Sequence, residues 1–135
     1  MKTNLLLVDD EAAIRGLTAM ELQLNGFAVT AVATGEEALS LLDQRSFNVL
    51  ITDLRLSDGD GLNLLESTKK WHPQLPVIIL TGMGFDDEIM REALEKGADG
   101  YVSKGLTMSH LRMEIDRVLK KADSASYPRP MSTAD

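Results

Sequence analysis

The most informative stretch of this sequence is Asn48-Val49-Leu50-Ile51-Thr52-Asp53. Its apolar run, residues 49–51, lies between polar residues and predicts a short strand covered on both faces, as parallel strands usually are. The turn-rich residues 57–61, Ser-Asp-Gly-Asp-Gly, follow it and favour a strand over a helix. The predicted strand therefore ends in a carboxylate, and Asp53 is the leading candidate for a functional side chain.

The rest of the chain alternates short apolar runs with segments of helical periodicity. Further strands are predicted at 5–8, 27–32, 76–80 and 99–103, and helices at 12–25, 35–44, 61–71, 86–96 and 107–121. Five strands alternating with five helices predict an α/β fold, a flavodoxin-like doubly wound parallel sheet in the order 2-1-3-4-5. We expect one domain over residues 1–121, followed by a flexible tail or truncated linker over 122–135.

Local signals mark several helix ends. Asn25-Gly26 is typical of a left-handed helix cap, and Thr34 with Glu37 forms a capping box. Asp60 is expected to cap the helix that begins at Gly61. In the first helix, apolar residues recur at roughly the spacing of an amphipathic helix, at Ile14, Leu17, Met20, Leu22 and Leu24.

Composition and charge exclude several classes of protein. Hydrophobic residues make up 44% and charged residues 26%, as in ordinary globular domains. A formal charge of −7 argues against direct binding of nucleic acid or of a membrane surface by this domain. The chain has no cysteine, so it has neither a disulfide framework nor a thiolate metal site, which suits the cytoplasm. We therefore expect a cytoplasmic protein without a membrane segment.

Reactive side chains follow four of the predicted strands, at Asp9 and Asp10, Asp53, Thr81 and Lys104. The strand order would bring the first and third strands together at the switch point, where such sheets bind ligands. Three carboxylates there repel, by about 4 kcal/mol for two charges ~4 Å apart at an effective dielectric near 20. Oxygen ligands favour Mg²⁺ over zinc as the neutralising ion. Such a site suits phosphoryl transfer, with Asp53 as the nucleophile that forms an acyl phosphate and Lys104 and Thr81 contacting phosphoryl oxygens.

The ordered set of these residues resembles the receiver domain of bacterial two-component response regulators, over residues 4–121. The residues that carry the resemblance are Asp9-Asp10, Asp53, Asp60-Gly61, Thr81-Gly82, the run Gly97-Ala98-Asp99-Gly100-Tyr101, and Lys104. The resemblance implies a phosphoacceptor signalling domain whose Asp53 receives a phosphoryl group from a sensor histidine kinase or a phosphotransfer protein. It also implies that the domain catalyses only its own phosphorylation and dephosphorylation, and is not otherwise an enzyme.

The same resemblance implies roles for individual residues. Mg²⁺ would be bound by Asp10, Asp53 and the main-chain carbonyl of Arg55, with Asp9 acting partly through water. The Thr81 hydroxyl would turn toward the new phosphate and Tyr101 would swing inward. This switch would change the face made by the fourth helix, fifth strand and fifth helix, which could bind an effector domain, another protein or a second copy of the chain.

Two stretches depart from the family's pattern. Residues 56–61, Leu-Ser-Asp-Gly-Asp-Gly, stand where the family usually has Met-Pro-x-Met-Asp-Gly, so the proline that would stiffen the loop is missing. Gly105 follows Lys104 where the family usually has a proline after a cis peptide bond. A cis bond before a non-proline residue costs roughly 2.5 to 4 kcal/mol, and the sequence leaves this bond open between cis and trans.

Two other functions compete with this interpretation. The first is a small Mg²⁺-dependent aspartyl-phosphate phosphatase or phosphotransferase, but the sequence shows no second acid or base placed for hydrolysis. The second is a flavin-binding module on the same fold, but the sequence lacks a hydroxyl- and glycine-rich phosphate loop after the first strand.

Overall fold

The computed structural model describes residues 2–82, 87–104 and 108–126, with side chains described through residue 122. Its strands are β1 (Asn4–Val8), β2 (Ala28–Val32), β3 (Val49–Asp53), β4 (Arg55–Leu56), β5 (Gly59–Asp60), β6 (Val77–Thr81) and β7 (Gly100–Ser103). Its helices are α1 (Ala12–Leu24), α2 (Gly35–Gln44), α3 (Gly61–Trp71), α4 (Asp87–Glu95) and α5 (Met108–Ser126).

The five longer strands form one parallel sheet in the order β2-β1-β3-β6-β7. Counted over these strands alone, this is the predicted order 2-1-3-4-5, and the predicted fold class is confirmed. The strands β4 and β5 form a separate two-stranded antiparallel ribbon inside the loop after Asp53. That loop is therefore held by backbone pairing although it lacks the family's proline.

Alternate residues of the strands point to opposite faces of the sheet and fill two cores. Leu6, Leu50 and Ile79 belong to one core, together with side chains of α2, α3 and α4. Leu5, Ile51 and Leu80 belong to the other, with side chains of α1 and α5. Because helices cover both faces, the central strands are mostly apolar, which is why continuous runs marked them in the sequence.

The predicted caps form at the helix starts. The Thr34 hydroxyl accepts a hydrogen bond from the Glu37 amide at 3.1 Å, and the Glu37 carboxylate accepts one from the Ala33 amide at 3.3 Å. The Asp60 carboxylate accepts from the Asn63 amide at 2.8 Å and so begins α3 directly after the loop.

The predicted helix α1 forms, but most of its apolar residues are not buried. Of the five apolar residues noted in the sequence, only Leu22 is buried, whereas Leu17 is 54% and Leu24 80% exposed. At about 100° per residue, Leu22 lies nearly opposite the side that carries the others. The apolar residues on the solvent side are named here the α1 outer face: Ile14, Leu17, Met20 and Leu24.

The last helix also differs from its predicted end. The sequence predicts an end at Lys121, whereas α5 continues to Ser126. Residues 105–107 and 127–135 lie outside the described residues, so the conformation of the Lys104–Gly105 bond and the predicted tail stay untested. Residue 86, the predicted start of α4, also lies outside them, and α4 begins at Asp87.

Within residues 2–82, 87–104 and 108–126, the structure contains no helix that could span a bilayer.

Candidate functional site

Three carboxylates meet at the carboxyl ends of two neighbouring strands. Asp9 and Asp10 follow β1, and Asp53 ends β3, which pairs with β1 so that Val8 lies opposite Thr52. One oxygen from each carboxylate lies within 4.8 Å of the other two. Asp9 and Asp53 are buried, 1% and 8% exposed, whereas Asp10 is open to solvent. The structure thus brings together the three acids that strand order predicted to converge.

Lys104 lies at the same site. Its Nζ is 3.0 Å from the Asp9 Oδ2 atom and 3.0 Å from the Asp53 Oδ2 atom. The Lys104 amide donates a hydrogen bond to the Thr81 carbonyl at 2.7 Å, so the ends of β6 and β7 fix where its side chain begins. The ammonium group therefore bridges two buried carboxylates directly.

The site has an excess of negative charge despite this lysine. The pKa of Asp53 lies above its ordinary value because burial, with a smaller contribution from the Asp9 charge, outweighs the lowering by the hydrogen bond and charge of Lys104. Burial also lowers the pKa of Lys104, but its bonds to Asp53 and Asp9 outweigh that effect and leave the pKa above its ordinary value. Three carboxylates and one ammonium sum to a charge of −2, since −3 + 1 = −2. A divalent cation would neutralise this remainder.

The donor set fits a hard divalent cation. All three side chains offer oxygen atoms, and the exposed Asp10 leaves room for the waters that Mg²⁺ retains. Arg55 begins the β4–β5 ribbon two residues after Asp53, and its register partner is Asp60. The loop therefore runs beside the three acids. The structure supports an acidic pocket able to bind a metal ion, and leaves the carbonyl of Arg55 as a predicted ligand.

The two predicted switch residues lie in the neighbouring strands. Thr81 ends β6 directly after Leu80, which is the register partner of Asp53, and Thr81 is 2% exposed. Tyr101 lies in β7, is 9% exposed and packs in the core shared with α4. Thr81 is therefore near the acids, while Tyr101 lies one strand further away, toward the face formed by α4, β7 and α5.

Three residues that support the site were missed in the sequence. A Cβ atom on Gly61 would lie 2.3 Å from the Asp53 carbonyl oxygen, so this position admits no side chain without backbone movement. The Arg15 Nη1 atom donates to the Asp9 carbonyl at 2.8 Å. The Asp58 carboxylate accepts hydrogen bonds from the first two amides of α2. The sequence indicated only that a helix starts at Asp60-Gly61, and it gave no sign of the close contact between Gly61 and Asp53.

Comparison with known proteins identifies the family. Residues 5–116 match the response regulator receiver domain. A probable transcriptional regulator, ycf27, of Guillardia theta is 34% identical over 133 residues, which are 98% of this chain and 52% of that protein. The chain thus spans about half the length of this curated relative.

Solved structures give the same result. A CheY-like receiver domain protein from Methanospirillum hungatei JF-1 superposes with a TM-score of 0.86 at 30% identity, covering 93% of this chain and 100% of that one. The beryllofluoride-activated NtrC4 receiver domain dimer gives a TM-score of 0.82 at 27% identity, over 88% of this chain and 98% of that one. The chain belongs to the response regulator receiver domain family and has its phosphoacceptor signalling role.

Proposed function

We propose that Asp53 is the phosphoacceptor and that a sensor histidine kinase or a phosphotransfer protein is the donor. The observation that supports this most strongly is the cluster of Asp9, Asp10 and Asp53, in which Asp9 and Asp53 contact the Lys104 ammonium group. Lys104 and a divalent cation held by the three acids would neutralise charge on a transferred phosphoryl group, and phosphoryl transfer depends mainly on positioning and charge neutralisation.

In the proposed reaction, a carboxylate oxygen of Asp53 bonds to phosphorus while the phosphorus–nitrogen bond of the donor's phosphohistidine breaks. The leaving imidazole takes up a proton from solvent. Lys104 exchanges its bond to Asp53 for one to a phosphoryl oxygen, and the Thr81 hydroxyl donates to another. Asp10, Asp53 and the Arg55 carbonyl would hold Mg²⁺, and Asp9 would contact it partly through water. When bound, the ion would neutralise charge on the phosphoryl oxygens.

The proposed readout is the face made by α4, β7 and α5. Movement of Thr81 toward the phosphate would free space that the buried Tyr101 ring fills from the neighbouring strand. The changed face would then bind an effector domain, another protein or a second copy of the chain. The activated NtrC4 relative is a receiver domain dimer, which supports the last of these partners.

The α1 outer face is the proposed contact for the phosphodonor protein. Its first residue, Ile14, lies one helical turn beyond the exposed Asp10, so the apolar surface begins at the edge of the acidic site. A protein that delivers a phosphoryl group to Asp53 must approach from this edge. Leu17→Glu should therefore slow phosphotransfer from a phosphorylated kinase but leave labelling by acetyl phosphate unchanged, whereas Met113→Glu on α5 should change neither.

Phosphorylation is tested by intact mass spectrometry after incubation with acetyl phosphate. Wild type should gain one phosphoryl group when Mg²⁺ is present and none when EDTA is added. Asp53→Asn should gain none in either condition. Unchanged labelling of Asp53→Asn would defeat the assignment of this residue.

The switch is tested with beryllofluoride, which forms a stable mimic of the acyl phosphate. Its addition with Mg²⁺ should shift the NMR amide signals of Thr81, Tyr101 and α4. Shifts confined to the loops around Asp53 would mean that phosphorylation is not transmitted to the proposed face.

The proposal also covers the location of the protein and the bounds of its domain. The absence of cysteine suits a reducing compartment, and we place the domain in the cytoplasm. Residues 1–121 would form the domain and 122–135 a tail or linker, with α5 extending into the start of that segment. No observation favours the alternative phosphatase or phosphotransferase activity.

A further inference from the structure

The loop that follows Asp53 is tied to a distant helix by one side chain. The two carboxylate oxygens of Asp58 accept hydrogen bonds from the amides of Gly35, at 3.1 Å, and Glu36, at 3.0 Å. These are the first two amides of α2, and Thr34 satisfies the third, that of Glu37. Asp58 therefore caps a helix that begins 23 residues earlier in the chain.

The tie adds to the buried side chains of Leu54 and Leu56 and to a short stretch of backbone pairing. The β4–β5 ribbon consists of only two residue pairs, Arg55 with Asp60 and Leu56 with Gly59. Ser57 stands where the family usually has proline, so the backbone is not stiffened there by a ring. Asp58 lies in the turn between the two strands of the ribbon and anchors that turn to α2.

We propose that Asp58 is a positioning residue for the metal site, because its bonds to α2 hold the loop in the conformation that presents the Arg55 carbonyl to Mg²⁺. This inference rests on the proposed function, which assigns Mg²⁺ to the site. Without the bonds, the loop spends part of its time in other conformations, and the apparent affinity for Mg²⁺ falls with the populated fraction of the competent one.

The size of the effect is limited by the strength of the cap. An N-cap side chain usually contributes enough to change an equilibrium about fivefold, so Asp58→Ala should weaken Mg²⁺ binding by about two- to fivefold. Asp58→Asn keeps one accepting oxygen and should give a smaller loss. It also serves as the second variant if the alanine substitution impairs folding.

A control variant separates the loss of the negative charge of Asp58 from the loss of its hydrogen bonds. Glu36→Gln removes one negative charge from an exposed side chain at the same helix start, yet keeps the backbone amide that Asp58 binds. Mg²⁺ is titrated into each protein and followed by the NMR amide signals of Asp10 and Asp53. The proposal expects Glu36→Gln to bind like wild type, and equal weakening by Glu36→Gln and Asp58→Ala would overturn it.

Hydrogen exchange at the start of α2 gives a second measurement, which needs no phosphorylation. If Asp58 couples the loop to α2, Mg²⁺ should slow hydrogen exchange of the Gly35 and Glu36 amides in wild type and leave it unchanged in Asp58→Ala. Faster exchange in Asp58→Ala together with unaltered Mg²⁺ affinity would show a cap with no role at the metal site, and would overturn the inference alone. Wild type that binds no Mg²⁺ would instead remove the proposed function and this inference with it.

Discussion

Gly61→Ala should damage both the stability and the reactivity of the domain. The added Cβ would lie 2.3 Å from the Asp53 carbonyl oxygen and 3.1 Å from the Leu54 Cα atom. Ordinary contacts begin near 3.4 Å, so the backbone of α3 or of the end of β3 must move by about 1.1 Å, the difference between 3.4 and 2.3 Å. The hydrogen bond from the Gly61 amide to the Leu54 carbonyl, 2.6 Å long, would be strained by the same movement.

The expected loss of stability combines overpacking with a weakened buried hydrogen bond, about 2 to 4 kcal/mol in all. The effect on reactivity follows from displacement of the Asp53 carboxylate relative to Lys104. A misplacement of ~1 Å lowers rates by roughly a hundredfold, so labelling by acetyl phosphate should slow by about that factor.

Urea denaturation measures the first effect, and the rate of labelling in the presence of Mg²⁺ measures the second. Gly16→Ala is the matched control, since no atom lies within 4 Å of its added Cβ, and we expect labelling at the wild-type rate and no loss of stability. If Gly61→Ala unfolds and reacts like wild type, the close approach to Asp53 is not a constraint on the site and the reasoning fails.

Four further substitutions test the electrostatics and packing of the fold. Burial raises the pKa of Asp53 above its ordinary 3.8, so its ionised form destabilises the folded state, and relative to Asp53→Asn the wild type should gain stability as the pH falls through the folded-state pKa toward 3.8. Asp53→Asn should therefore raise the melting temperature at neutral pH in EDTA and remove that pH dependence. A lower melting temperature would show that ionised Asp53 does not destabilise the fold. Lys104→Met should lower the free energy of unfolding in EDTA by about 1 to 3 kcal/mol, because it leaves Asp9 and Asp53 unpaired and the lysine is partly exposed to solvent, which reduces the loss. Urea denaturation measures this loss, and added Mg²⁺ should restore part of it. Asp99→Ala should lower the free energy of unfolding by about 1 to 3 kcal/mol because it leaves the Val77 amide, 2.9 Å from the Asp99 carboxylate, without its acceptor, and an unchanged urea midpoint would show that this bond is dispensable. Gly16→Ala should stabilise α1 by about 0.5 to 1 kcal/mol in the same assay, since no atom lies within 4 Å of the added Cβ, and any loss of stability would reveal a contact at this face.

The sheet could be predicted because burial on both faces leaves a simple signal. Strands such as β3 and β6 are continuous apolar runs, and each ends in a polar residue that the fold places at the same edge. The general rule for ligand sites in such sheets then predicts that Asp9, Asp10 and Asp53 converge. Lys104 could be assigned to the same edge for the same reason.

The orientation of α1 could not be predicted because periodicity shows that a helix has an apolar side and not whether that side is covered. Leu22 and the partly buried Ala19 pack against the sheet, and the longer apolar stripe faces solvent. An exposed apolar stripe can serve a partner as well as a core.

The contacts that hold the loop after Asp53 could not be predicted from the sequence, because they join distant segments of the chain. Asp58 and Gly35 are 23 residues apart, and nothing near either residue in the sequence indicates their hydrogen bond. Gly61 was visible only as part of a turn and helix start. Its close approach to Asp53 arises from the packing of α3 against the end of β3, which local patterns do not encode.

The most direct test of the central assignment is chemical trapping of the phosphorylated residue. Borohydride reduces an acyl phosphate to an alcohol, so phosphorylated Asp53 would become homoserine, which peptide mapping by mass spectrometry locates. After treatment with acetyl phosphate, we predict homoserine at position 53, formed when Mg²⁺ is present and absent when EDTA replaces it. Homoserine at Asp10 or another acid instead, or at position 53 regardless of Mg²⁺, would contradict the account.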